Sequence, residues 1–163
     1  MEESVKQEIK EIIKTFNLNC SITGFRDKVD WNYISHYQQL SESFIREFKD
    51  LVNWEYISYK QQLSESFIRE FKDKVYWYNI SYCQKLSESF IREFKDKVNW
   101  ENISWKQELS EYFIYEFKDK LNIKELIKRN LITEERLDYL EFREKEKEFN
   151  SREKVSRFSI MDI

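Results

Sequence analysis

The sequence predicts an all-α fold, an α-solenoid of short helix–turn–helix repeats with degenerate N- and C-terminal capping helices. Three observations carry that prediction. The string "LSESFIREFKD" recurs word for word from Leu40, Leu63 and Leu86. Phe25, Phe48, Phe71, Phe94 and Phe117 mark a frame of 23 residues, with Trp31, Trp54, Trp77 and Trp100 six positions behind the first four. Units of this length bury their apolar faces only against neighbouring copies, the logic of a solenoid. No stretch sustains the period-two alternation of a strand. With one glycine and no proline, helices joined through capping side chains are the cheapest solution.

The elements follow in order. Residues 1–24 carry an N-terminal capping helix, "SVKQEIKEIIKTF", with Val5, Ile9, Ile12, Ile13 and Phe16 on one side. Residues 25–121 hold four 23-residue αα repeats. The first helix of each opens at Asp30, Asn53 or Asn99, favoured N-caps; Tyr76 stands at that place in the third repeat and predicts a weaker cap. Trp54, Ile57, Ser58 and Gln61 keep their identity at i, i+3, i+4 and i+7, which is one helical face. The second helix opens at Ser41, Ser64, Ser87 or Ser110, and Phe67, Ile68, Phe71 and Val75 form its apolar stripe. Glu65, Arg69 and Asp73 at i, i+4 and i+8 predict an exposed ladder of opposite charges. Gln38, Gln61, Gln84 and Gln107 predict either a polar ladder between repeats or a cap on the first helix.

Residues 122–142 read as a degenerate fifth repeat and C-terminal cap. Asn122 keeps the cap, Ile123 replaces the tryptophan, Leu126 the isoleucine, Thr133 the serine and Arg136 the phenylalanine. Such polar changes suit a terminal repeat with one wet face. Residues 143–163 are charge-dense and are expected to form a frayed helix or mobile tail.

Composition narrows the function classes. An apolar content of 40% is too high for a disordered chain, and a net charge of −3 against 36% charged residues gives a balanced surface. That balance argues against an obligate nucleic-acid binder or an anionic-membrane anchor. No apolar run reaches membrane-spanning length and "MEESVKQEIK" is not a secretory leader, so an intracellular, non-secreted protein is expected. Cys20 and Cys83, far apart and at unlike repeat positions, are expected to be reduced thiols. His36, the only histidine, has no second ligand at metal spacing, and Gly24 cannot by itself build a phosphate-binding loop. No catalytic residue, cofactor or metal site is expected, and the chain reads as non-enzymatic.

The copies differ on the side of the first helix opposite the fixed face. Asn32, Tyr33, His36 and Tyr37 become Glu55, Tyr56, Tyr59 and Lys60, then Tyr78, Asn79, Tyr82 and Cys83, then Glu101, Asn102, Trp105 and Lys106. Rigid amphipathic rings supply interface area at low entropic cost. Tyr33, Tyr37, Tyr56, Tyr59, Tyr82 and Trp105 are therefore the candidate contacts for a protein partner. The competing reading packs these rings between neighbouring repeats. Two other functions compete: base stacking on a nucleic acid, for which His36, Lys60 and Lys106 are few cations, and self-association end to end.

From Phe25 to about Leu121 the pattern W-x-x-I-S-x-x-Q-x-L-S-E-x-F-I-x-x-F-x-D-x-V, as in "VNWEYISYKQQLSESFIREFKD", resembles short tandem-repeat proteins of giant DNA viruses of the mimivirus type. Tyr76, Tyr112 and Tyr115 depart from its commonest unit. The Phe-, Tyr-, Ile-, Lys- and Asn-rich composition, without alanine, agrees with an AT-rich source genome. The resemblance implies a host-cell cytoplasmic location and a host or viral partner, and carries no known activity.

Overall fold

A computed structural model describes residues 1–159, with side chains through Asn150. The described residues form an all-α solenoid in which helix pairs recur every 23 residues and pack neighbour to neighbour. Two compact units divide it, Met1–Asn99 and Trp100–Ile163.

In the first unit, α1 (Glu3–Thr15) buries Val5, Ile9 and Ile12. It ends in a Schellman motif, with the Leu18 amide on the Ile13 carbonyl at 2.9 Å and Asn17 in the left-handed region at φ 48°. In this glycine-poor chain an asparagine fills a place that glycine usually takes. A short α2 (Phe25–Lys28) precedes three helix pairs: α3 (Trp31–Tyr37) with α4 (Glu42–Glu47), α5 (Trp54–Lys60) with α6 (Glu65–Glu70), and α7 (Trp77–Cys83) with α8 (Glu88–Glu93).

Caps explain why helices this short persist. Asp30 Oδ1 accepts from the Tyr33 amide, and Asn53 Oδ1 accepts from the Glu55 and Tyr56 amides. Tyr76 provides no side-chain cap. Ser41, Ser64 and Ser87 each accept from the amide three residues on. The second helices are shorter than their sequence stripe suggests: α6 stops at Glu70, Phe71 is its C-cap, and Val75 lies beyond the helix though still buried. Inside each pair, tryptophan leans on two phenylalanines, as Trp54 does on Phe71 at 4.9 Å and on Phe67 at 6.2 Å. Its Nε1 donates to the Lys49 carbonyl.

Two polar devices join one repeat to the next. Ser35, Ser58 and Ser81 are fully buried. Each hydroxyl donates to the tryptophan carbonyl four residues back, at 2.6–2.7 Å, and accepts the amide that opens the next first helix, at 2.9–3.0 Å. Gln61 and Gln84 form a ladder between repeats, whereas the Gln38 side chain bonds only the adjacent Tyr37 carbonyl. Gln61 Oε1 accepts from the Leu40 amide at 2.9 Å, and its Nε2 donates to the Gln38 carbonyl at 2.8 Å. Gln84 repeats this geometry on Leu63 and Gln61. Buried polar groups satisfied in this way specify the neighbour rather than merely permit it. Replacing Ser58 with alanine removes the acceptor of the Tyr76 amide in a part-buried bond and leaves the Trp54 carbonyl without its hydroxyl donor. Chemical denaturation is expected to show a loss of about 1–3 kcal/mol, with a loss under about 0.5 kcal/mol refuting the role.

The charge ladder corrects its sequence reading. Arg69 does meet Glu65 at 3.7 Å, but its shorter bond runs from Nε to Glu93 in the following repeat, at 2.7 Å. Arg46 does the same with Glu70. Asp73 takes Lys97 instead of Arg69, because α6 has already ended and the chain has turned off its face. Asp50 pairs likewise with Lys74, whose hydrogen bond holds that carboxyl below the usual range. At the start of the array, Glu8 of α1 accepts from both the amide and the hydroxyl of Ser41. Glu42 and Glu65 accept the corresponding amides of Ser64 and Ser87. In this respect α1 stands in for a preceding repeat.

The second unit contains α9 (Trp100–Lys106), α10 (Glu111–Glu116), α11 (Ile123–Lys128) and α12 (Glu134–Ser159). Ser104 forms the same latch to the Asn122 amide, at 2.9 Å. Arg129 takes over the glutamine's part, donating from Nη1 to the Ser104 and Gln107 carbonyls at 2.7 and 3.0 Å. Asn122 and Thr133 accept cap bonds from Glu125 and Arg136, and Arg136 reaches Glu111 at 2.7 Å. Lys118 pairs with Glu141 on α12. Helix α12 runs without interruption through most of the segment expected as a tail; residues 160–163 lie outside the described residues.

Candidate functional site

Helical spacing sorts each first helix into an inner and an outer side. Ile57 and Ser58, three and four positions after Trp54, are fully buried. The residues between those positions are pushed outward. Of the six candidate contacts, Tyr33, Tyr37, Tyr59, Tyr82 and Trp105 are exposed, from 39% at Tyr82 to 64% at Tyr37. Their repeat positions differ. Tyr59 and Tyr82 occupy the same place on α5 and α7, where α3 carries His36, and Trp105 holds that place on α9 of the second unit.

Tyr56 belongs elsewhere. It is half-buried, and its ring meets His36 of the preceding repeat edge to face at 4.6 Å. Two of its counterparts are also withdrawn from solvent: Asn79 is half-buried and donates to the Glu55 carbonyl at 3.2 Å, while Asn102 is buried. At this position Tyr56 and Asn79 reach the preceding first helix, whereas Tyr33, which holds it on α3, is exposed. Helical periodicity marks the diversified face but not the groove between two adjacent helices, so sequence reasoning placed all four together. It also passed over Tyr78 as a contact, although that ring, at the first diversified position of α7, is 62% exposed.

The first repeat concentrates the rings. Phe16, Tyr33, Tyr37, His36 and Tyr56 form a connected chain, with successive centroids 5.4, 4.7, 4.2 and 4.6 Å apart. Asp30, Asn32, Tyr33, His36, Tyr37 and Tyr56 line an open hollow of about 260 Å³. Asn32 Oδ1 accepts from Asn53 Nδ2 at 2.8 Å, tying the hollow to the next repeat. His36 Nδ1 is buried without a partner among the described residues. In the second repeat the ammonium of Lys60 lies 4.8 Å from the Tyr59 centroid, a cation–π contact.

Of the two cysteines, Cys20 is half-buried and Cys83 exposed on α7. Among the described residues no His, Cys, Asp and Glu cluster is arranged to hold a metal ion, and no helix is long and apolar enough to cross a membrane. No protein-family model matches the chain, and no curated protein or solved structure matches it either.

Proposed function

We propose that this chain is a non-enzymatic interaction module that binds a protein partner through the diversified aromatic face of its first helices. The carrying observation is the contrast within one short helix: the constant Ile57 and Ser58 are fully buried, while the diversified Tyr59 beside them stands in solvent. Packing therefore does not account for the ring, and rigid aromatics of this kind are the residues that dominate protein interfaces. The repeat resemblance makes a host or viral protein the natural partner, and the host cytoplasm the natural location. A combined Tyr59→Ser, Tyr82→Ser, Trp105→Ser variant tests the reading. Binding to the partner identified by affinity capture is expected to fall at least about a hundredfold, with stability within about 1 kcal/mol of the parent. Lost stability with binding intact would show the rings to be structural.

A second reading, self-association, has its own support on α12. Phe142 and Phe149, seven residues apart, are more than half exposed, whereas Leu140 is buried. Sedimentation across a hundredfold range of concentration separates the readings, since a monomer throughout excludes self-association.

A further inference from the structure

We infer that the hollow on the first repeat is a receptor for an ammonium group, presented by a lysine side chain of the partner. The inference rests on the interaction-face reading above and adds the chemistry of one contact. Tyr33, Tyr37 and Tyr56 line the hollow with His36, and Tyr37 is the most exposed of the candidate rings. The negative faces of such rings attract an organic cation, and most strongly where it is partly desolvated. The wall also supplies a formal counter-charge. Asp30 Oδ1 is engaged by the Tyr33 amide, and that carboxylate makes no other hydrogen bond or ion pair among the described residues. Neither lysine nor arginine lines the hollow.

The second repeat provides an internal precedent. Lys60 occupies the place of Tyr37 and Tyr59 that of His36, one period later. There the chain sets its own ammonium on its own ring. In the first repeat a histidine stands in place of that ring and a tyrosine in place of the lysine, and Asp30 stands where the second repeat has Asn53. The first-repeat face thus gains a tyrosine and a carboxylate and has no lysine of its own at the place of Lys60. Tyr33, Tyr37 and Tyr56 all contribute to that one contact.

The chain's single histidine makes the test simple, because its imidazole protons give one isolated pair of NMR signals inside the hollow. The full chain is titrated with N-acetyl-lysine amide, its Nε-trimethyl form and the uncharged analogue N-acetyl-norleucine amide. Both charged probes are expected to move the His36 signals with millimolar affinity, roughly five- to thirtyfold tighter than norleucine. Asp30→Asn, which keeps a favoured N-cap, is expected to weaken them several-fold without changing the fold. Tyr37→Leu, on an exposed position, is expected to do the same. Equal binding of norleucine, indifference to Asp30→Asn, or signals unmoved at tens of millimolar probe would each overturn the proposal. A chain that loses its partner with Tyr59, Tyr82 and Trp105 yet ignores these probes keeps the interaction reading and loses only this contact.

Discussion

Replacing Phe67 with alanine is expected to cost about 3–5 kcal/mol of folding stability, the usual range for a fully buried phenylalanine. Its ring is completely sequestered, 4.7 Å from Phe71 and 6.2 Å from Trp54. The Arg46 guanidinium of the preceding repeat lies over it at 4.8 Å. The substitution therefore removes contacts inside its own helix pair and beneath the link to the pair before. Backbone bonds hold Phe67 at both ends: its amide is capped by Ser64, and its carbonyl accepts from Phe71. The site therefore has little freedom to collapse around the void. Equilibrium urea unfolding, followed by tryptophan fluorescence, measures the loss. A cost below about 1 kcal/mol would mean that the site relaxes and that the aromatic column is not the mechanical centre of the unit.

Gln61→Leu is expected to cost about 2–5 kcal/mol, although leucine is apolar and of similar size. The change strands the buried Leu40 amide and leaves the Gln38 carbonyl without its donor. Each orphaned group costs about 1–3 kcal/mol. Gln38→Leu is the matched control. Gln38 is only half-buried, and its side chain makes a single long bond, 3.5 Å, to the carbonyl of Tyr37. Its replacement is expected to fall within about 0.5 kcal/mol of the parent. Hydrogen exchange at the Leu40 amide gives a second readout, since only Gln61→Leu should expose it to faster exchange. Equal effects of the two substitutions would rule out the ladder as a link between repeats.

The frame of helices was legible from the sequence because it rests on local rules. Asp30, Asn53, Ser41, Ser64 and Ser87 cap where a short polar side chain precedes an apolar run, and Tyr76 does not. What required coordinates was every bond between repeats. An i,i+4 rule assigns Arg69 to Asp73, but that rule applies only while the helix lasts, and α6 ends first. The nearest strong partner is then Glu93, 24 residues away. Ser58 reads locally as a small residue on an apolar face; its bond to Tyr76 appears only when the next repeat lies beside it. The candidate site divides in the same way. Exposure of Tyr59 and Tyr82 follows from helical phase, whereas the burial of Tyr56 depends on how closely the neighbouring helix approaches. The dense charge of residues 143–163 predicted a frayed helix or mobile tail; on α12, Arg143–Glu146 and Lys147–Glu144 are pairs that helical spacing brings together.

The glutamine and serine bonds also have a direction. In the first unit the Gln61 and Gln84 amides reach back toward the repeat before, and the Ser35 and Ser58 hydroxyls accept from the repeat after. Such an array is vectorial, with chemically different leading and trailing edges, so two copies brought edge to edge could reproduce its internal bonding only nose to tail. A two-fold, head-to-head pairing would set like groups against like.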